Sequence, residues 1–346
     1  MRSSDSKKTR LLAVLLLPAV LLVSACGSTS ATEDSSPALD EITLRLAHPY
    51  APSALQAIEL EKVAGRVEDR SDGRIRIEIF PSGELGAIPD SMEQVASGAN
   101  MIAWFDAAIA STAGVPELGI LGGPFLFDGT EQAREFLRGD LFAEWEQKLA
   151  DEANIRVLGL NWFTGARHLH GNKSFESPDD LKGLKMRVVQ APTYIKIFEM
   201  LGAVPTAIDF VEVYSALDQG VVDAYDTLIS AIKPMHFEEV AKDLTLTGHI
   251  VMPSGVSMSE EVYQSLTKDL QDILYEEFQA GGVNLGKEAA AAEGDMLAQL
   301  EADGVNIHRD VDFNAYREAT KDYYTSFPEW PAGLYDAVLA ELARLE

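Results

Sequence analysis

Among the residues whose type and spacing could do chemistry, those of the segment Asp180-Leu-Lys-Gly-Leu-Lys-Met-Arg-Val-Val-Gln190 stand out first. The segment reads as a turn followed by a short strand, because Leu184, Met186 and Val188 alternate with Lys185, Arg187 and Val189. Arg187 is thus a guanidinium on a rigid element among apolar neighbours. Arginine cannot shed its charge, so a buried one needs a partner. Its planar fork matches a carboxylate through two parallel hydrogen bonds. The residues leave two partners open: the carboxylate of a bound ligand, or an Asp or Glu of the chain itself. His168-Leu-His170 can present two imidazoles on one strand face, but zinc needs further ligands and no cysteine is available, so no metal site is expected. The chain holds no nucleophile elbow, phosphate loop or zinc-protease helix motif. Carboxylates are so abundant that an apparent catalytic pair could arise by composition alone.

The elements that must position these groups alternate strand and helix. Glu41 to Ala47 alternates as a first strand, and Ser53, in the loop after it, is placed to cap a helix from Ala54 to Arg70 with Leu55, Ile58, Val63 and Val67 on its apolar face. Ile75, Ile77 and Ile79 mark a second strand, Ser91 to Gly98 a short helix, and Met101 to Ala103 a third strand that delivers Trp104 and Asp106. Two short helices fill 131–153, and a strand from Ile155 to Leu160 ends at Asn161-Trp162-Phe163. The theme then repeats. Gly165 to Leu169 is a strand carrying Arg167, and Arg187 follows on the next. Pro192 opens a helix ending at Leu201-Gly202, Ala203 to Ala207 is a strand, and a loop reaches Phe210. Glu212 to Gln219 is a helix closed by Gly220, and Val221 to Asp223 a strand leading into Ala-Tyr-Asp-Thr227. A strand pair is expected around Gly248-His249. Helix dominates from Glu260 to Asp303, with Gly281-Gly282 as a bend. A last strand spans Val305 to His308, and 311–345 reads as helical. The alternation implies an α/β fold with mostly parallel sheet. His48, Trp104, Asp106 and Trp162 all end strands or begin loops, where clefts form, and are candidate ligand contacts.

The N-terminus addresses the chain. Arg2, Lys7, Lys8 and Arg10 precede an uncharged, largely apolar run from Leu11 to Ala25, too short for a comfortable membrane span and suited to a secretory signal. It ends Val23-Ser24-Ala25-Cys26, similar to a bacterial lipobox, with the chain's one cysteine at the position that would carry lipid. Residues 1–25 are read as a lipoprotein signal peptide and 26–40 as a flexible tether. The expectation is an extracytoplasmic domain held to a membrane by its lipid. Without residues 1–25 the chain keeps 24 basic and 54 acidic residues, a net charge of −30. Such a field excludes nucleic acid as a plausible partner, and a small anion can bind only in a local positive pocket. The length beyond the tether suits two domains, and 47% hydrophobic residues supply material for their cores.

Seven segments, in order, resemble the extracytoplasmic solute receptors of tripartite ATP-independent periplasmic (TRAP) transporters, of the C4-dicarboxylate-binding type. They are Ser71-Asp-Gly-Arg74 closing its helix; Phe80-Pro-Ser-Gly-Glu-Leu-Gly86; Gly123-Pro-Phe-Leu-Phe127; Gly165-Ala-Arg167; Pro178-Asp-Asp-Leu-Lys-Gly-Leu-Lys-Met-Arg187; Leu201-Gly-Ala-Val-Pro205; and Glu212-Val-Tyr-Ser-Ala-Leu-Asp-Gln-Gly-Val-Val-Asp223. The resemblance implies a two-lobed periplasmic-binding-protein-like fold with a hinge and a cleft that closes on one organic anion. Lobe I would comprise 41–163 plus about 250–292, and lobe II 164–249 plus about 293–346. It also implies that Arg187 clamps the ligand carboxylate, that Arg167 assists, and that Phe210 packs on the ligand. Where the family usually places an acid and an asparagine, this chain has Asp226 and Thr227, which puts the usual hydrogen bond at Thr227 in doubt. Metal-holding members often show an acid followed by tryptophan there, so neither metal nor cofactor is expected. The implied role is a non-enzymatic binder that hands an organic acid to small and large integral membrane subunits, driven by a sodium or proton gradient; a monomer is the default expectation. A sensor that reports occupancy to a signalling partner is the alternative, and an extracellular hydrolase a third.

Overall fold

The computed structural model describes residues 40–345. The expected signal peptide, Cys26 and nearly all of the expected tether lie outside the described residues. Among the described residues there are eleven strands: β1 (Ile42–Ala47), β2 (Ile75–Phe80), β3 (Met101–Asp106), β4 (Ile155–Gly159), β5 (Arg167–Gly171), β6 (Lys185–Val188), β7 (Val204–Ala207), β8 (Ala224–Leu228), β9 (Asp243–Ile250), β10 (Ser254–Ser259) and β11 (Asn306–His308). They form a five-stranded sheet ordered β2-β1-β3-β10-β4 and a six-stranded sheet ordered β11-β9-β5-β8-β6-β7.

Both sheets are mixed, where alternation of strand and helix suggests mostly parallel pairing. β10 runs antiparallel between β3 and β4, and β5 runs antiparallel between β8 and β9. These two strands are the ones the chain enters directly from the other sheet, through 160–166 and 251–253, with no helical crossover to restore direction. The strands expected to pair around Gly248-His249 are β9 and β10, and they sit in different sheets.

Helices cover the sheet faces. The helix Leu55–Arg70 buries Leu60, Val63 and Val67, but its N-cap position is Ala54, so the cap expected from Ser53 is not made. The second helix begins earlier than expected, at Ile88–Ala96. The 35-residue helix Lys268–Ala302 packs Leu270, Ile273, Leu274, Phe278 and Leu285 into the core of the first sheet and Leu300 into that of the second. It passes Gly281 and Gly282 unbroken, and these residues serve close approach instead of a bend. A Cβ on Gly281 would lie 2.6 Å from Val63 Cγ2, and one on Gly282 would lie 2.2 Å from Asn161 Oδ1. Arg66 and Arg70 tie the two long helices through Glu277, with N–O distances of 2.6 and 2.8 Å.

Two further expectations are corrected. Val221 to Asp223 is a turn after Gly220, held by Asp223 N–H donating to Lys185 O at 2.8 Å, and the strand starts only at Ala224. The C-terminal region is not continuously helical: it comprises Phe313–Ala319, a short turn at Tyr323–Thr325 and Leu334–Leu345. Val338 and Leu342 join the cluster holding Phe136 and Trp145, from the helices Thr130–Phe136 and Asp140–Ala153, and Tyr324 Oη donates to Pro124 O at 2.8 Å. No helix among the described residues is long and apolar enough to cross a membrane.

Candidate ligand-binding cleft

A cleft lies where the ends of β3, β6 and β8 meet the start of β5 and the loops after β1 and β7. It encloses about 780 Å³ between protein atoms, its open mouth included. Tyr50, Ile88, Trp104 and Asp106 line it from the segments before β4, Arg167, Arg187, Ile208, Asp209, Phe210 and Thr227 from β5 to β8, Met252 from the connection into β10 and Ser254 from the start of β10. The walls come close: the Tyr50 and Phe210 rings are 5.8 Å apart edge to face, and Gln56 Nε2 donates to Ser230 Oγ at 3.4 Å.

Arg187 is buried on β6, with Tyr225 of β8 and Thr206 of β7 as its strand neighbours. Its Nε donates to Ile208 O at 2.8 Å, its guanidinium lies 5.9 Å from the Phe210 ring centre, and its Nη1 is buried with no hydrogen-bond partner. Among the described residues no carboxylate pairs with it. Burial pushes its pKa down to about 10; Asp226 acts the other way, and the nearby charge of Arg167 adds to the lowering. It remains cationic at neutral pH. A buried cation with unmet donors is costly unless something else supplies the anion.

Arg167 differs. Its Nε pairs with the buried carboxylate of Asp226, and its Nη2 donates to Asp226 O at 2.9 Å. Burial opposes both charges, but the pair outweighs it: Arg167 is held above its ordinary value and Asp226 well below the usual carboxylate range. The internal ion pair that the residues left open for Arg187 is made by Arg167 instead.

Trp104 and Asp106 lie on β3 itself, which runs three residues further than expected. Asp106 accepts from Ile109 N at 2.9 Å, capping a one-turn helix, and burial raises its pKa against the pull of that N–H and of Arg167. Thr227 is buried, and its hydroxyl has only a long 3.5 Å contact to Leu228 O.

Two candidates lie outside the cleft. Trp162 is buried behind it, its indole donating to Phe278 O at 3.1 Å and its ring set edge-on to Trp104 at 5.9 Å. His48 is buried beside Tyr50 and lines a separate small hollow with Gly86, Ser91 and Trp104; burial alone lowers its pKa to about 4. A strand end brings a side chain near the cleft, but the pleat decides which way it faces. His168 and His170 are engaged separately, with Gly248 N and Tyr225 Oη. Tyr50, Ile88, Asp209 and Met252 were not anticipated. Tyr50 was findable, because it lies in the loop at the carboxyl end of β1, where open α/β sheets bind ligands.

Residues 46–329 match the family model described as bacterial extracellular solute-binding protein, family 7 (DctP). The chain belongs to this family. A solute-binding protein of Sulfitobacter sp. (strain NAS-14.1) is 30% identical over 316 residues, covering 91% of this chain and 92% of the relative. The TRAP periplasmic solute-binding protein of Fusobacterium nucleatum, solved with bound sn-glycerol-3-phosphate, superimposes with a TM-score of 0.84 at 30% identity, covering 88% of this chain and 97% of that one. One from Ochrobacterium anthropi, solved with bound L-fuconate, gives 0.84 at 30% identity, covering 87% and 99%. The receptor is thus a two-lobed, extracytoplasmic TRAP solute-binding protein, from a family of transport components and not of enzymes.

Proposed function

We propose that this receptor captures a small organic acid in the cleft between its lobes and delivers it to the integral membrane subunits of a TRAP transporter. The observation that carries this reading is the buried Arg187 Nη1, cationic and without a partner, on the wall of an aromatic-lined cleft. A ligand carboxylate would take that donor in the bidentate geometry that guanidinium favours. Tyr50, Trp104 and Phe210 would exclude water and so strengthen the contact. Arg167, held by Asp226, would supply positive field, and Asp106 and Thr227 hydrogen bonds to the ligand body. Trp162 and His48 would support the wall from behind.

The sheets suggest how the lobes divide: β1 to β4 with β10 in one, β5 to β9 with β11 in the other, and 160–166 and 251–253 as hinge strands. Cys26 would carry the lipid that keeps the receptor beside its permease. No observation favours the signalling alternative.

The test is a titration of the purified protein, by calorimetry and thermal melting, against a panel of small organic acids, with Arg187→Ala in parallel. Binding by the native protein and none by the variant supports the reading. Equal stabilisation of both places the site elsewhere.

A further inference from the structure

The charges around the cleft do not suit every organic acid. Two cations line it, Arg167 and Arg187, with two carboxylates, Asp106 and Asp209, and Asp226 stands directly behind Arg167. With every carboxylate ionised, the formal charge of these five groups is −1 before any ligand enters. These groups share one field: Asp106 feels both arginines, and Arg187 feels Asp226, Arg167 and Asp209. Two of the Arg167 nitrogens are already committed to Asp226, through its carboxylate and its backbone carbonyl. Arg187 is the arginine whose charge no carboxylate among the described residues offsets, and its Nη1 has no partner, whereas the charge of Arg167 is offset by Asp226. One carboxylate satisfies Arg187. A second anionic group on the same ligand would find the charge of Arg167 already offset by Asp226 and the carboxylates of Asp106 and Asp209 on the same lining, in a walled site where water screens poorly.

We propose that the cleft selects singly charged carboxylates over dicarboxylates and phosphate monoesters, and that Asp226 sets this rule by offsetting the charge of Arg167. The inference rests on the organic-acid reading above and adds a charge class to it.

The test uses ligand pairs that differ by one carboxylate on a similar body: gluconate with glucarate, butyrate with succinate, benzoate with phthalate. In each pair that binds, the monocarboxylate is expected to bind at least about tenfold more tightly, the effect of one unscreened charge in a partly closed site. Asp226→Asn should free Arg167 and narrow that gap by about tenfold. Because a lone buried arginine can prevent folding, the charge-neutral double variant Arg167→Gln/Asp226→Asn is made beside it. It should keep the preference, since the pair as a whole contributes no net charge. Equal or tighter binding of the dicarboxylates by the native protein, or loss of the preference in the double variant, overturns the charge rule and leaves the organic-acid reading standing. No binding by either member of every pair overturns both.

Discussion

Arg167 of β5 and Asp226 of β8 are diagonal neighbours across an antiparallel ladder: Arg167 stands opposite Leu228, and Asp226 is two residues further along the same face. Their buried ion pair leaves Arg187, one strand away on β6, as the cation without a carboxylate. Two arginines that look alike in the sequence thus differ: one is paired within the chain, and the other carries the proposed ligand contact.

Arg187→Ala should abolish measurable acid binding, a loss of about 2–5 kcal/mol, the usual cost of removing one member of a buried charge pair. The unliganded variant should melt no lower than the native protein, because the substitution removes an uncompensated buried cation and not a completed interaction. Calorimetric titration and melting without ligand check the two halves separately.

Asp226→Ala should be costly without any ligand, by about 3–5 kcal/mol, because it strands Arg167. The pair also predicts an acid limb in stability. Asp226 has a depressed folded pKa, so its contribution is complete above the unfolded carboxylate value of about 3.9 and is lost as pH falls below it. Urea unfolding from pH 5 to pH 2 should show a steeper decline in the native protein than in Asp226→Asn. Parallel declines would mean that other carboxylates dominate.

His48 and His170 are buried neutral, with pKa values lowered to about 4 and about 3. In the unfolded chain each takes up a proton near pH 6.5. Their effect is therefore full stability above that value and progressive loss as pH falls from it toward their folded values. His48, whose ring nitrogens have no hydrogen-bond partner, is the cleaner probe. His48→Phe should flatten the melting-temperature profile between pH 7 and pH 5, a window distinct from that of Asp226.

Gly255→Ala should destabilise by about 1–3 kcal/mol or more, the range for overpacking a closed core. A Cβ there would fall 1.8 Å from Gly159 O, at the irregular register between β10 and β4. Denaturant midpoints read the effect. A neutral result would mean that the two strands sit further apart in solution.

Much of this was legible because the controlling signals are local. The alternating isoleucines of β2 and the Leu-Met-Val alternation around Arg187 mark strands by period alone. Val221-Val222 misled for the same reason: two β-branched residues look like a strand, but the left-handed Gly220 before them and the Asp223 tie to Lys185 hold a turn. The Arg167–Asp226 pair could not be read at all, because it depends on β5 lying antiparallel beside β8, a register fixed between distant segments. The facing of Trp162 was likewise out of reach. Its position near a strand end was visible, but the carbonyl of Phe278 that draws its indole inward comes from the long helix.

That helix has a mechanical consequence. Its 35 residues form one rod roughly 50 Å long, clamped at one end to the first sheet and at the other to the second. Any rotation of one sheet against the other must flex this rod or slide its packing, so it behaves as a torsion spring mounted across the joint. The glycines at its middle let Val63, Trp162 and Asn161 press against the backbone, gripping the spring close to its midpoint. If a solute draws the two sheets together, the cost of flexing that rod is part of what its binding must offset.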